Sequence, residues 1–222
     1  MSEVDSHCHI LPKIDDGPAD ENISIAIANL LLEMGVKTVV ATPHVISDVY
    51  PNTTEKILEA VEKTNALFQR VGLPLDVLAG AEYYVEKNLL DRIETDDLVA
   101  WGDARYVMFE SPEEQEPMLL EDVVFNLKTA GYTPVLAHAE RYRFLQQNPQ
   151  RILDLRRLGV KFQINHPSFH LPKISRRGEL ARCLYIKGYA DLLGTDIHRA
   201  TSHDRVLASK GDRRLFARLN FR

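Results

Sequence analysis

The sequence predicts an α/β fold, in which seven units of strand and helix close a parallel sheet into a barrel. Short apolar runs alternate with amphipathic stretches, glycine ends most of those stretches, and runs such as VKTVVAT and ADLLGT are nearly continuous. Strands buried on both faces have this character. A barrel leaves no free sheet edge. The alternative is an open doubly wound sheet, but the phosphate-binding sequences GxGxxG and GxxxxGKS/T typical of such folds are absent.

Periodicity places the first elements of the chain. The first apolar run covers residues 4–10. Asp20 is a suitable cap for a helix whose apolar residues recur at helical spacing up to Gly35. Glycine commonly ends a helix because it tolerates the left-handed conformation there. The second strand therefore begins directly after this glycine and covers residues 36–42.

The next units show the same alternation of apolar runs and amphipathic stretches. Thr53 or Thr54 opens a second helix, which ends at Gly72. Further strands are predicted at residues 75–80, 106–110, 133–138, 160–165 and 190–196. Further helices are predicted at residues 87–94, 119–130, 142–147, 150–158 and 178–187.

Composition excludes several classes of protein. The 27 basic and 32 acidic residues give a formal charge of −5, which argues against a protein that mainly coats nucleic acid. No apolar run approaches the roughly 20 residues needed to cross a bilayer, which argues against membrane insertion. Cys8 and Cys183 lie far apart, and the first residues lack a basic leader followed by an apolar stretch. We therefore expect a single domain over residues 1–222, located in the cytoplasm with reduced thiols.

Ionisable residues concentrate where the predicted strands end. In six of the seven units a histidine or a carboxylate follows the apolar run. In a parallel barrel all of these ends lie on one face, where the loops build active sites. The residues are His7, His9 and Asp16 after the first strand, then His44, Glu82, Glu110 and His138, and finally Asp196 and His198.

These residue types predict a site for several metal ions. His7 and His9 are two apart on an extended chain, so their side chains point to the same face. Imidazole mixed with carboxylate suits Mn, Fe or Zn better than Ca or Mg. One ion needs about four ligands, so nine candidates predict two or three ions. Clustered ions hold a bridging hydroxide and clamp phosphoryl oxygens, which favours hydrolysis as the chemistry.

Other polar residues near these strand ends receive different interpretations. Arg141 can offer a bidentate fork to a phosphate, or it can pair with Glu140 at the surface. We expect Cys8 and Tyr142 to have packing roles. The remaining histidines, His166, His170 and His203, are expected to lie outside the metal site.

The combined motifs DSHCH, DDG, TPH, GAE, HAERY and TDIH resemble those of the PHP (polymerase and histidinol phosphatase) superfamily. Their order and spacing are similar to those of bacterial manganese-dependent protein-tyrosine phosphatases encoded with capsule and exopolysaccharide genes. The segments HILPKIDDGPAD and VISDVYPNT are specific to that branch. The resemblance extends over residues 4–198, and the segment NHPSFH at residues 165–170 departs from it.

The resemblance implies a distorted (β/α)7 barrel with a trinuclear metal site at the carboxyl ends of the strands. It also implies a grouping of the ligands. One ion is held by His7, His9 and Asp196, an outer ion by Asp16, His44 and His198, and the middle ion by Glu82, Glu110 and His138, with a glutamate bridging two ions.

The resemblance further implies a reaction. A metal-bridging hydroxide attacks phosphotyrosine, with Arg141, His138 and Glu110 as catalytic residues. Arg141 matches the phosphate-binding arginine of the family, and either Arg199 or Arg205 supplies a second one. The implied partner is the tyrosine-rich tail of a bacterial tyrosine kinase that controls polysaccharide synthesis. Two alternatives stay open, a phosphatase of a small metabolite such as histidinol phosphate and a non-catalytic regulator that binds the kinase.

Overall fold

Parallel strands form a curled sheet that is covered by helices in the computed structural model, which describes residues 4–201. The strands are β1 (Val4–Cys8), β2 (Thr38–Ala41), β3 (His44–Val45), β4 (Asp76–Ala79), β5 (Glu82–Tyr84), β6 (Tyr106–Glu110), β7 (Thr133–Leu136), β8 (Lys161–Asn165) and β9 (Leu192–Gly194). The helices are α1 (Glu21–Glu33), α2 (Thr54–Arg70), α3 (Lys87–Glu94), α4 (Leu120–Thr129), α5 (Arg143–Gln147), α6 (Pro149–Arg157) and α7 (Arg176–Ile186). Two short 3-10 helices cover Ala139–Arg141 and His166–His170.

The sheet consists of two hydrogen-bonded parts. Short breaks in strand structure after β2 and after β4 separate these two parts. One part has the order β1-β2-β4, and the other has the order β3-β5-β6-β7-β8-β9. Pro43 separates β2 from β3 because it has no N–H to donate to a ladder. Its carbonyl still accepts a hydrogen bond of 3.0 Å from the Glu82 amide. Gly80 separates β4 from β5, and a Cβ there would lie 2.7 Å from the Val40 side chain.

The first and last strands lie side by side without forming a regular ladder within the described residues. The His9 amide donates to the Ile197 carbonyl at 3.0 Å, and the Asp196 amide donates to the His7 carbonyl at 2.7 Å. The Ser6 hydroxyl donates to the Leu193 carbonyl at 2.8 Å. The structure thus confirms the α/β class with a curled parallel sheet. A complete seven-stranded barrel stays a prediction.

Apolar residues pack on both sides of the sheet. The larger cluster combines strand residues such as Val39 and Val107 with the helices. Their neighbours Val40 and Met108 face the other way, since side chains alternate along a strand. They belong to a smaller cluster on the concave side, which Trp101 also joins. This smaller cluster fills the inside of the curl below the predicted site.

Helix caps agree with the sequence prediction. The Asp20 side chain accepts hydrogen bonds from the amides of Asn22 and Ile23, and the Thr53 side chain accepts one from the Lys56 amide. Five of the seven helices described end at glycines with positive φ, which is the conformation expected there. These glycines are Gly35, Gly72, Gly131, Gly159 and Gly188.

Several predicted boundaries were wrong. The strand predicted at 133–138 ends at Leu136, since His138 has a φ of 31° and cannot continue it. The strand predicted at 190–196 is only Leu192–Gly194. The helix predicted at 178–187 begins two residues earlier because the Ser175 hydroxyl caps it by accepting from the Gly178 amide. Within the described residues, no helix has the length and apolar character needed to span a bilayer.

Candidate metal centre

Strand β1 brings two imidazoles together at its carboxyl end. The Nε2 atoms of His7 and His9 are 3.3 Å apart, and both side chains are fully buried. Cys8, between them, points to the opposite side and belongs to the apolar core. Its Sγ donates to the Ile197 carbonyl at 3.6 Å, and burial raises the pKa of its thiol well above the usual value. Cys8 thus has the packing role expected of it.

Glu82 lies at the centre of the cluster. One of its carboxylate oxygens, Oε2, lies 3.2 Å from His7 Nε2 and 3.3 Å from His9 Nε2. The same oxygen lies 3.3 Å from His44 Nδ1, and Oε1 lies 2.9 Å from His138 Nε2. Four imidazoles from three segments of the chain therefore converge on this carboxylate.

Asp196 supplies a second buried carboxylate. Its Oδ1 lies 3.4 Å from His7 Nε2 and 3.5 Å from His9 Nε2. Its Oδ2 accepts hydrogen bonds from the Arg141 guanidinium and, at 2.9 Å, from Asn165 Nδ2. Arg141 thus pairs with Asp196 and not with Glu140. Asp196 itself has a φ of 56°, so its backbone is in the left-handed region.

The outer donors lie closer to solvent. Asp16 Oδ1 is 3.6 Å from His44 Nε2 and 3.3 Å from His198 Nε2. The side chains of Asp16 and His198 are 45% and 27% exposed, whereas that of Glu82 is 1% exposed. Glu110 Oε1 lies 2.9 Å from His44 Nδ1, and its Oε2 lies 3.8 Å from His138 Nε2.

All nine predicted ligands therefore belong to one network of close imidazole and carboxylate contacts. Donor atoms lying within 4.8 Å of one another form three overlapping groups. His9, His44 and Glu82 each belong to two of them, whereas the grouping implied by the resemblance let only a glutamate bridge two ions. The groups are His9, Asp16, His44 and His198, then His7, His9 and Glu82, and finally His44, Glu82 and Glu110.

The donors have unused lone pairs, as a metal site requires. Buried Glu82 Oε1 and His44 Nδ1 have no hydrogen bond of acceptable geometry among the described residues, although each has oppositely charged neighbours. Buried polar atoms are normally hydrogen-bonded unless an ion or water completes the site. Imidazole and carboxylate donors suit Mn, Fe or Zn. The residues present thus fit a site for divalent metal ions.

Electrostatics at the centre favour bound positive charge. Burial alone lowers the pKa of His7, but Glu82 and Asp196 outweigh it and raise this pKa to about 9. Burial likewise raises the pKa of Asp196, but the charges of His7 and Arg141 hold it well below its usual value. The pKa of Glu82 is also held well below its usual value, by His7 and His138 against burial. These carboxylates attract protons to the imidazoles and would attract a divalent cation in the same way.

Gln163 is a residue in contact with the candidate site that the sequence analysis missed. It is fully buried on β8, and its Nε2 donates to the Ile164 carbonyl at 2.8 Å and to Asn165 Oδ1 at 2.9 Å. Its Oε1 therefore faces His7 Nδ1 at 3.0 Å and the His138 amide at 2.6 Å. Donation from His7 Nδ1 leaves the Nε2 lone pair directed at the cluster. The only signal in the sequence is one polar residue inside an apolar run.

Asp15 performs the same task for His9. Its Oδ2 accepts from His9 Nδ1 at 2.7 Å and from the His44 amide at 3.1 Å, and its Oδ1 accepts from the Gly17 amide. Hydrogen bonds of this type orient metal-binding histidines. The DDG motif contains both acids, and the structure separates their positions. Asp15 supports His9, whereas Asp16 joins the outer donors.

Asp5 fixes β1 relative to the last strand. Its Oδ1 accepts from the amides of His7 and Thr195, at 3.1 and 2.9 Å, and its Oδ2 accepts from the Thr195 hydroxyl at 2.6 Å. Burial raises the pKa of Asp5 to about 6 despite these hydrogen bonds. Asp5 therefore joins the two segments that carry His7 and Asp196.

Two of the predicted arginines line one cavity beside the donor cluster. A cavity of about 560 Å³ is lined by Arg141 and Arg199 together with Asp196 and His198. Arg205, the other candidate for the second phosphate-binding arginine, lies outside the described residues, as does His203. His166 and His170 belong to the second 3-10 helix and to none of the donor groups. Tyr142 is buried, and its hydroxyl accepts from the Ser111 amide, as a packing residue would.

Proteins with similar sequences are named tyrosine-protein phosphatases. The profile described as capsular polysaccharide synthesis, CpsB/CapC, matches residues 3–209. Tyrosine-protein phosphatase YwqE of Bacillus subtilis (strain 168) is 34% identical over 165 residues, covering 74% of this chain and 65% of YwqE. The chain thus spans slightly less than two thirds of that relative. Tyrosine-protein phosphatase CpsB of Streptococcus pneumoniae is 29% identical over 206 residues, covering 90% of this chain and 84% of CpsB.

Solved structures show the same fold. A chain from the crystal structures of YwqE from Bacillus subtilis and CpsB from Streptococcus pneumoniae superposes with a TM-score of 0.83 at 28% identity. The superposition covers 94% of this chain and 87% of that one, and those proteins are described as unique metal-dependent tyrosine phosphatases. The lactonase Lmo2620 from Listeria monocytogenes, with a TM-score of 0.50 at 14% identity, shares the fold alone.

Proposed function

This chain belongs to the CpsB/CapC family of capsular polysaccharide synthesis, and we propose that it is a metal-dependent phosphatase of phosphotyrosine in proteins. The observation that carries the proposal is the convergence of four imidazoles on Glu82 in a chain whose relatives are named tyrosine-protein phosphatases. The coarse fold is common to proteins of other activities. The proposal therefore depends on the donor cluster and the relatives together.

We propose two to three divalent ions, Mn in the first instance with Fe or Zn as alternatives. When bound, such ions supply positive charge to the phosphoryl oxygens and activate water for attack on phosphorus. The supporting observation is the overlap of the three donor groups, since residues shared between two groups would hold neighbouring ions close together. The proposed ligands are His7, His9, Asp16, His44, Glu82, Glu110, His138, Asp196 and His198.

Phosphate is proposed to bind in the cavity beside the cluster. Arg141 and Arg199 both line it, so two guanidinium groups can neutralise the charge of one phosphoryl group. The hydrogen bond to Asp196 Oδ2 holds Arg141 in place before substrate arrives. His138 and Glu110 are proposed as catalytic residues at the edge of the cluster, where each contacts the other and a neighbouring donor.

The cellular setting is a proposal of the same kind. The family description names capsular polysaccharide synthesis. We propose that the substrate is the tyrosine-rich tail of a bacterial tyrosine kinase that controls this synthesis, and that the reaction occurs in the cytoplasm. We also propose that residues 1–222 form one domain, and that the curled sheet is a distorted (β/α)7 barrel closed between β1 and β9. The hydrogen bonds from His9 and Asp196 across this junction support closure.

Two substrates test the proposed function. Purified protein loaded with Mn, Fe or Zn in turn should hydrolyse a phosphotyrosine peptide much faster than histidinol phosphate, with phosphate release as the measurement. The His138→Ala variant should lose this activity, because His138 contacts Glu82 and Glu110. A matched control is Arg143→Ala, since Arg143 lies at the surface and pairs with exposed Glu114.

The contrary outcomes identify the alternatives. Activity on histidinol phosphate alone would assign the chain to small-molecule phosphatases. A metal-replete protein inert towards every phosphomonoester would indicate a regulator that binds its kinase without catalysis. Unchanged turnover in His138→Ala would refute the site assignment.

A further inference from the structure

The cavity beside the donor cluster extends beyond the proposed phosphate site. At the site it is lined by Arg141, Asp196 and His198. Other lining residues come from the second 3-10 helix, from the loop that follows it and from the first turn of α7, where Arg177 lies. At about 560 Å³ the cavity is larger than a phosphoryl group needs. It therefore has room for part of the molecule that carries the phosphate.

A buried carboxylate fixes one wall of this cavity relative to the reaction site. Glu140, directly before Arg141, is fully buried. Its Oε1 accepts hydrogen bonds from the Asn165 amide at 3.1 Å and from the Ser168 hydroxyl at 2.6 Å. The residues that line the cavity after β8 are thus anchored to the neighbour of Arg141. This is the segment in which the sequence departs from the pattern of the resembling phosphatases.

The charge of the cavity favours an anionic occupant. Its lining contains three arginines, Arg141, Arg177 and Arg199, and one carboxylate, Asp196, which pairs with Arg141. Arg177 also donates to Glu113 Oε2 at 2.6 Å. Three positive and two negative charges leave one net positive charge before any metal ion binds. The side chains of Arg177 and Glu113 are 48% and 38% exposed, so water weakens this pair and a substrate carboxylate can replace Glu113.

The uncharged part of the lining suits a peptide. Pro167, Leu171 and Pro172 also line this cavity, and Leu171 is 36% exposed. Rigid, apolar residues of this kind can pack against the backbone and the small side chains of an extended segment. A phosphorylated metabolite of the size of histidinol phosphate would leave this surface in water.

We propose that this cavity binds the peptide segment next to the phosphotyrosine, and that Arg177 selects an acidic side chain in that segment. The inference rests on the proposed phosphotyrosine activity and specifies its substrate class. Arg177 is then a specificity residue, separate from the proposed phosphate-binding arginines and from the donor cluster.

A set of phosphotyrosine peptides tests the proposal. Each position within two residues of the phosphotyrosine is made Glu, Ala or Lys in turn, and kcat/KM is measured on the metal-loaded protein. At one position or more, we expect kcat/KM of the Glu peptide to exceed that of the Ala peptide by about threefold to fivefold, the upper part of the range for an exposed ion pair. The Lys peptide should have a lower kcat/KM than the Ala peptide. The difference should shrink at about 1 M salt, where exposed charges are screened.

Variants of the arginine and of its partner sharpen the test. Arg177→Glu should reverse the preference, so that the Lys peptide becomes better than the Glu peptide. Glu113→Gln should increase the preference for Glu, because it removes the carboxylate that competes for Arg177. The matched control is Arg176→Ala, since Arg176 is the preceding residue on α7 but lines a different cavity. It should keep the preference of the unaltered protein.

The outcomes separate the two proposals. Equal kcat/KM for the Glu and Lys peptides, or a preference that Arg177→Glu does not change, overturns the assignment of this cavity. In either case hydrolysis of the Ala peptide still supports the proposed function. Failure to hydrolyse any phosphotyrosine peptide overturns the proposed function, and the inference about Arg177 with it.

Discussion

The donor cluster has an inner part, with His7, His9 and Glu82, and an outer part, with Asp16 and His198. The two parts are held in place in different ways. In the inner part, His7 and His9 are fully buried, and each has its Nδ1 bonded to a buried neighbour, Gln163 or Asp15. In the outer part, Asp16 is 45% exposed and has no comparable hydrogen bond to its carboxylate among the described residues. The inner donors are thus preorganised by the strands. The outer donors depend more on their loops and on the ion that they hold.

This difference predicts a gradient of effects from the inside to the outside. Removing an inner donor should damage the whole centre, because these side chains contact most of the others. Removing an outer donor should cost one ion and leave the others. Removing a supporting hydrogen bond should weaken binding without changing the number of sites.

The largest effect is expected for Glu82→Gln. Replacing the carboxylate that four imidazoles approach should lower kcat/KM on a phosphotyrosine peptide by about a thousandfold or more, a size typical of catalytic machinery. Elemental analysis of the purified variant should show loss of most of the metal. Circular dichroism checks that the variant is folded. Retained metal and activity would show that the inner part is not the centre of the site.

A smaller and more selective effect is expected for Asp16→Asn. Asp16 joins only one of the three donor groups, with His9, His44 and His198. We expect the variant to lose about one equivalent of metal while the other ions stay bound, and its kcat/KM to fall by about a hundredfold. Titration with a chelator, followed by metal release, measures this directly. Simultaneous loss of every ion would abolish the distinction between the two parts.

The smallest effect is expected for Gln163→Leu, which removes the acceptor for His7 Nδ1 and for the His138 amide. Metal affinity should fall by about 10-fold to 100-fold, the usual effect of losing a hydrogen bond behind a metal-binding histidine. The measurement is a competition titration with a metal-sensitive dye. Gln163→Glu keeps an acceptor for His7 Nδ1 but loses the donor to the Ile164 carbonyl and to Asn165 Oδ1, so the pair of variants separates the two ends of the amide. Equal losses in both variants would mean that the acceptor for His7 is not the part of Gln163 that supports metal binding.

Most of the fold was predictable because strands and helices leave strong periodic patterns. Every strand unit in the prediction corresponds to a strand of the structure. The interruptions were not predictable in detail, since they depend on distant parts of the chain. The break at Gly80 reflects the close approach of Val40. The strand predicted at residues 133–138 ends early, as β7, because His138 has a left-handed backbone.

The convergence of the nine predicted ligands was predictable because side chains that follow the carboxyl ends of parallel strands meet at one end of the sheet. The supporting residues were not, because their role depends on atoms that come together only in the folded chain. Gln163 and Asp15 act through single hydrogen bonds to the far side of an imidazole ring. Gly194 is a similar case, since a Cβ there would lie 2.4 Å from the Cβ of His7. None of these contacts leaves a pattern in the sequence around the residue.

The pairing of the first and last strands has a consequence for synthesis. Asp196 and His198 lie beside His7 and His9 in the fold but are synthesised about 190 residues after them. At about 5 to 20 residues per second, the interval is about 10 to 40 seconds. During this interval the nascent chain carries His7 and His9 without their partners after β9, and the full cluster can assemble only once residue 198 has been made. Binding of the complete set of ions is therefore expected to follow synthesis of this segment.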